Sequence, residues 1–256
     1  MNIFKPQIRH FESEDVMIRD CVEMITEVAQ ESIANTGKFR VALAGGNTPK
    51  DLYKSLNTLP IDWSDIEVYQ TDERIGKFNG NVLDVYNTDS PRINSNMISC
   101  SMSNASVGQN FYPMFNNSLI KHKSAGTSAK ETKELLQPSL NYYNGLVDSL
   151  DDPKFDIVIL GVGEDGHIAS LFPNAPYLNQ SLLLADNVIQ TRTEDELRLS
   201  LTANTILNAT SIIIYCVGGE KMKVVDEFVN GNLSITQFPI KLLYSHPNVN
   251  VFYSEE

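Results

Sequence analysis

The sequence predicts an α/β fold, a doubly wound and largely parallel sheet with helices on both faces, built by residues 1–256 as one domain. Two observations lead there. Short runs of apolar and β-branched residues, of which Phe155–Leu160 is the clearest, alternate along the chain with longer stretches of helical spacing. Glycine turns follow several of those runs, at the strand ends where open α/β sheets build their sites. No internal repeat, low-complexity stretch or linker divides the chain.

In chain order, apolar residues recur at helical spacing from Met17 through Cys21, Met24 and Val28, and Gly37 stands where that helix should stop. Residues 39–44 read as a buried strand, Gly45 to Asn47 as a tight turn, and Thr48 and Pro49 as the cap and first residue of a second helix. Residues 66–71 form a further strand that runs into Asp72, Glu73 and Arg74. The Asn-, Ser- and Gly-rich stretch 76–110 predicts long loops with one short helix, and 111–114 a short strand. Helical character returns over 128–150, where Pro138 should kink or divide the helix. Strands follow at 155–160, 187–191, 197–201, 211–217 and 249–253, with helices from about Thr202 and Lys221.

Acidic residues number 32 against 20 basic ones, for a formal net charge of -12. That balance disfavours a nucleic-acid partner, which Lys and Arg must neutralise, while leaving room for a small anion held locally. No leader-like apolar segment opens the chain and its longest apolar runs are too short to span a bilayer, so the expectation is a cytoplasmic protein with no membrane contact. Cys21, Cys100 and Cys216 show neither C-x-x-C spacing nor a nearby His, which reads as free thiols in a reducing compartment and not as a disulfide or metal site.

Three constellations carry chemistry. Gly45, Gly46, Asn47 and Thr48 sit between a strand and a helix, where backbone N–H groups can cradle a phosphate, although an ordinary strand-to-helix turn uses the same residues. Gly161, Gly163 and Gly166 after Phe155–Leu160 satisfy a dinucleotide-type G-x-G-x-x-G, with Asp186 downstream. Glu164 and Asp165 would set two carboxylates against a pyrophosphate, however, and Pro173 cuts short the helix that should receive it. His167 is the more telling residue there, because an imidazole at a strand end can exchange protons with a substrate. Last, Arg74, Arg192, Arg198, Lys221 and Lys223 scatter cations near loops and helix starts, with Gly218-Gly219-Glu220-Lys221 again joining a glycine turn to a helix.

Together these segments resemble the glucosamine-6-phosphate isomerase and 6-phosphogluconolactonase family over nearly the whole chain. Its most specific mark is the run from Phe155 through Gly161-Val162-Gly163-Glu164-Asp165-Gly166-His167 to Ala169-Ser170-Leu171-Phe172-Pro173, supported by Gly45 to Pro49, Asp72-Glu73-Arg74, Arg198, Gly219 and Lys221. Asp-Glu-Arg and Ala-Ser-Leu-Phe-Pro favour the lactonase branch over the deaminase-like Asp-Glu-Tyr and Ala-Phe-Asn-Glu-Pro. Asn47 stands where Ser is usual, Ile75-Gly76 replaces Val-Pro, and the stretch before Ser95-Asn96 is longer and more polar than the family's.

The resemblance implies a Rossmann-like, glucosamine-6-phosphate deaminase-like fold and hydrolysis of 6-phospho-D-glucono-1,5-lactone to 6-phosphogluconate in the oxidative pentose phosphate pathway. His167 would be general base and acid, Asp165 or Asp72 would orient it, and Arg74 or backbone N–H groups would stabilise the oxyanion. Gly45, Gly46, Asn47, Thr48, Arg198 and Lys221 would bind the phosphate. No metal or cofactor is expected, since a lactone is already an activated ester, and the only partner expected is the sugar-phosphate lactone, met by a monomer or small homo-oligomer. A deaminase or isomerase acting on a sugar phosphate, or a non-catalytic sugar-phosphate-binding protein, are the alternatives.

Overall fold

The computed structural model describes residues 3–102, 110–115, 124–126, 128–180 and 186–256. Strand β1 (Gln7–Phe11) leads into helix α1 (Glu14–Thr36), whose Met17, Cys21, Ile25 and Ala29 repeat every fourth residue and form its buried stripe. Gly37 ends the helix at φ 79°, its N–H donating to the Ile33 carbonyl. Strand β2 (Phe39–Leu43) and helix α2 (Lys50–Leu56) follow. Here the expected cap is corrected: the helix starts one residue later than Pro49, and no side chain caps it. Thr48 and Pro49 lie in a turn instead, in which the Lys50 N–H reaches the Asn47 carbonyl at 3.3 Å.

Strand β3 (Ile66–Gln70) is followed almost at once by β4 (Asp72–Asn79) and β5 (Val82–Val85), then by helix α3 (Asn94–Ser101). Of the long loops expected over 76–110, residues 76–85 instead complete a hairpin turning at Gly80 (φ 57°) before the short helix, and 103–109 lie outside the described residues. Gly76 permits that hairpin, since a Cβ there would meet the Asp84 carbonyl oxygen at 2.4 Å. The strand expected at 111–114 reduces to a single bridge between Phe111 and Val68, its next N–H, that of Tyr112, donating to the Val68 carbonyl. Strand β6 (Ser124–Gly126) precedes helix α4 (Ala129–Asp148), capped by Ser128, which accepts the Glu131 N–H. Pro138 lies inside α4 without dividing it.

The second half alternates β7 (Phe155–Leu160), α5 (Pro176–Gln180), β8 (Val188–Arg192), β9 (Glu196–Leu201), α6 (Ala203–Leu207), β10 (Ala209–Val217), α7 (Lys221–Asn230) and β11 (Val249–Ser254). The central sheet has six strands, all parallel, in the order β1-β11-β10-β7-β2-β3. A second, antiparallel sheet that the sequence reading did not separate runs β6-β5-β4-β9-β8. The chain passes between the two at Thr71, whose N–H donates to Leu43 of the first sheet and whose carbonyl accepts from Leu201 of the second.

Period-2 geometry explains why the central strands are apolar throughout. Ile157, Ile159, Ile213 and Tyr215 pack on one face against α1, α2 and α3. Val158, Leu160, Ile212 and Ile214 pack on the other against Leu136, Tyr143, Phe228 and the inner face of the second sheet through Ile75, Leu83 and Leu199. Every one of these side chains is at most 1% exposed.

Candidate active site

Chain direction across the central sheet reverses between β7 and β2, and α/β folds bind ligands at the strand ends beside such a switch. Neighbouring strands β2, β7 and β10 each end there in a glycine turn, at Gly45-Gly46, Gly161-Val162-Gly163 and Gly218-Gly219. Ala44, Gly45, Gly46, Thr48, Asp72, Arg74, Asn94, Gly161, Gly163, His167, Arg198 and Lys221 line one pocket. The fold therefore gathers residues that lie up to 177 positions apart in the chain.

The loop after β7 closes on itself. The Gly163 N–H donates to the His167 carbonyl at 2.9 Å, the Gly166 N–H donates to the Gly163 carbonyl at 3.0 Å, and Gly166 takes φ 77° with the Phe238 ring where a Cβ would be. His167 Nδ1 lies 2.6 Å from Asp165 Oδ1, which also accepts the His167 N–H at 3.2 Å. That bond from the imidazole is the main reason the Asp165 carboxyl is held below the usual carboxylate range. With Nδ1 donating, the Nε2 lone pair is the one free to act as base. Of the two carboxylates considered as orienting groups, then, Asp165 touches the imidazole. Asp72 accepts instead from the Ser170 hydroxyl at 2.6 Å and the Asn94 amide at 3.2 Å.

Arg74 and Arg198 face each other as directly opposed residues on β4 and β9. Arg198 lies 2.7 Å from Glu196 and 3.8 Å from Asp72, and its guanidinium sits 5.3 Å from the centre of the Phe172 ring, itself 4.9 Å from the His167 ring. Lys221, the first residue of α7, donates to the Val162 carbonyl at 3.1 Å. Asn47 is exposed beside the pocket and is not among its lining residues. Two expected cations stand apart from it: Arg192 covers the Phe78 ring at 4.1 Å, and Lys223 is exposed on α7.

Beneath the pocket, Glu73 is fully buried and accepts from the N–H groups of Arg74, Asn94 and Ser95 and the Gln70 amide, at 2.6 to 3.0 Å. Burial raises its pKa while these bonds oppose the rise. Two of the donors open α3, so the carboxylate anchors that helix by its positive end and holds Asn94 against Gly45. Sequence reasoning missed Asn94, Ser170, Glu196 and this use of Glu73; only the Asp72-Glu73-Arg74 triplet and the Ser170-bearing signature carried a trace of them. Among the described residues, no group of three or more His, Cys, Asp or Glu is arranged to hold a metal ion, and no helix is long and apolar enough to cross a membrane.

An α/β fold covered on both faces of its central sheet, with glycine loops, a paired His and several cations at the switch point, agrees with the family that the sequence resembles. The chain belongs to the glucosamine-6-phosphate isomerase/6-phosphogluconolactonase family, which it matches over residues 12–252. It is 30% identical over 240 residues to a protein of Dictyostelium discoideum named a probable 6-phosphogluconolactonase, with 92% of each chain covered. It is 27% identical to the 6-phosphogluconolactonase of Synechocystis, over 93% of this chain and 91% of that one. Its fold matches the solved structure of 6-phosphogluconolactonase from Shewanella baltica with a TM-score of 0.80, at 22% identity, covering 99% of this chain and 100% of that one. A monomeric glucosamine-6-phosphate deaminase has the same fold at a TM-score of 0.73 and 19% identity, over 98% of each chain.

Proposed function

We propose that this protein hydrolyses 6-phospho-D-glucono-1,5-lactone to 6-phosphogluconate, with residues 1–256 acting as one domain in the cytoplasm. The observation that carries the reading is that His167, braced by Asp165 at 2.6 Å, opens onto the same pocket as Arg74, Arg198 and Lys221. The names of the curated relatives support the lactonase branch, and the apolar cluster spanning both sheets supports a single folding unit. Three free cysteines suit a reducing compartment.

In the reaction the lactone lies with its phosphate against Lys221, Arg198 and the Gly45-Gly46 turn, where charge-assisted bonds outweigh neutral ones. A water attacks the carbonyl carbon as His167 Nε2 takes its proton, and Asp165 stabilises the imidazolium that forms. Charge then develops on the carbonyl oxygen, within reach of Arg74 or of backbone N–H groups at Gly161. Collapse breaks the bond between the carbonyl carbon and the ring oxygen, and the imidazolium returns its proton to that oxygen. The products are an open-chain hydroxyl and a carboxylic acid, which ionises and acidifies the medium. Proton transfer of this kind supplies about 10²- to 10⁴-fold of the acceleration.

Acid release from freshly generated 6-phosphogluconolactone and from unphosphorylated gluconolactone, each corrected for spontaneous hydrolysis, tests the reading. The phosphorylated lactone should turn over far faster. Equal turnover of the two, or ammonia release from glucosamine 6-phosphate in place of lactone hydrolysis, would contradict it.

A further inference from the structure

Arg74 and Arg198 stand directly opposite each other on adjacent antiparallel strands, an arrangement in which like charges repel. Both line the pocket, and in both the buried Nε has no hydrogen-bond partner among the described residues. Asp72 lies 3.8 Å from Arg198, but Glu196 is the carboxylate that stands near both arginines. Glu196, only 6% exposed, lies 2.7 Å from Arg198 Nη2 and 3.9 Å from Arg74 Nε, both measured to Oε2. Its other oxygen, Oε1, accepts the hydroxyl of Tyr86 at 2.9 Å. Tyr86 follows β5 and is tied by its N–H to the Ile75 carbonyl, so the polar stretch after Gly76 supplies the lock on this carboxylate.

We propose that Glu196, held by Tyr86, is a positioning residue that turns Arg74 and Arg198 into one clamp for an anionic group of the substrate. The inference rests on the lactonase reading and deepens it. Glu196 bonds Arg198 at 2.7 Å and stands 3.9 Å from Arg74, so it draws the two guanidiniums together at the pocket without bonding both fully. A substrate phosphate, held alike in ground and transition states, completes the set. Without Glu196 the two cations separate, and the fixed geometry on which bidentate recognition depends is lost.

The test is Glu196→Gln, which keeps size and a hydrogen-bond acceptor but removes the charge that draws the arginines together. Its KM for 6-phosphogluconolactone should rise about tenfold while kcat changes less than about threefold, the split expected when binding shared by ground and transition states is lost. Calorimetric binding of 6-phosphogluconate should weaken by the same factor, with melting temperature nearly unchanged. Tyr86→Phe should move KM in the same direction by about threefold, a measure that stands if Glu196→Gln folds poorly. Unchanged or tighter product binding in a folded variant would overturn the clamp, because Glu196 would then be a mere competitor for the arginines. Product binding by the wild type also separates the two ideas: if the wild type binds 6-phosphogluconate yet fails to hydrolyse the lactone, the functional reading falls while the clamp is still judged by the binding ratio.

Discussion

His167 Nδ1 and Asp165 Oδ1 lie 2.6 Å apart within a five-residue loop that also bonds the Gly163 N–H to the His167 carbonyl. The imidazole is therefore fixed by its own loop, with one nitrogen spent on the carboxylate and the other left for chemistry.

Asp165→Asn should lower kcat by about 10²-fold or more, because an amide can donate to Nδ1 and so select the wrong tautomer. The same variant has a pH signature. A carboxyl depressed below the ordinary range contributes stability above about pH 4, lost as pH falls through its folded value. The melting-temperature difference between wild type and variant should thus be present at pH 6, begin to shrink only below about pH 4 and vanish once pH has fallen past the lowered folded value, as thermal melts at successively lower pH would show. With the Asp165 side chain 51% exposed, the difference should be small.

Glu73→Gln tests the anchor beneath the site. The substitution keeps one acceptor oxygen and turns an amide N–H₂ toward two of the buried donors that the carboxylate satisfies. The expected cost is about 2 kcal/mol, a fall of roughly 4–8 °C in melting temperature for a chain of this size. Calorimetry reads it directly, and an unchanged melting temperature would mean that α3 does not depend on this contact.

The G-x-G-x-x-G of Gly161, Gly163 and Gly166 invites a dinucleotide, yet the N–H groups of Gly163 and Gly166 are consumed within the loop, and the next helix is the five-residue α5. Millimolar NADP should leave melting temperature and lactone hydrolysis unchanged. Gly163→Ala should instead abolish most activity in a folded protein, since its Cβ would stand 2.1 Å from His167 Nδ1 and 2.6 Å from Asp165 Oδ1. An NADP-induced rise in melting temperature would reassign the loop.

Legibility in the sequence followed locality. Phe155–Leu160 and the His167 loop were readable because a continuous apolar run, a glycine turn and an imidazole lie within thirteen residues. The β4–β5 hairpin was not. Asp72, Glu73 and Arg74 hide the alternation of β4, since the first two are buried as polar groups, and the polar residues around Gly80 read as loop when they mark a tight turn. The Glu73 anchor and the Glu196 hub depend on contacts between segments 21 and 110 residues apart, and no periodicity encodes those. The choice between Asp72 and Asp165 was likewise open until the fold set one beside the imidazole and the other beside Ser170.

The central claim is that His167 moves the proton in lactone hydrolysis, and the direct measurement compares wild type with His167→Ala in acid release from fresh 6-phosphogluconolactone and in 6-phosphogluconate binding. The account predicts that kcat falls by about 10²-fold or more while product binding stays within about twofold, as for a group that acts chiefly in the transition state. A folded variant that keeps near-normal kcat would contradict it.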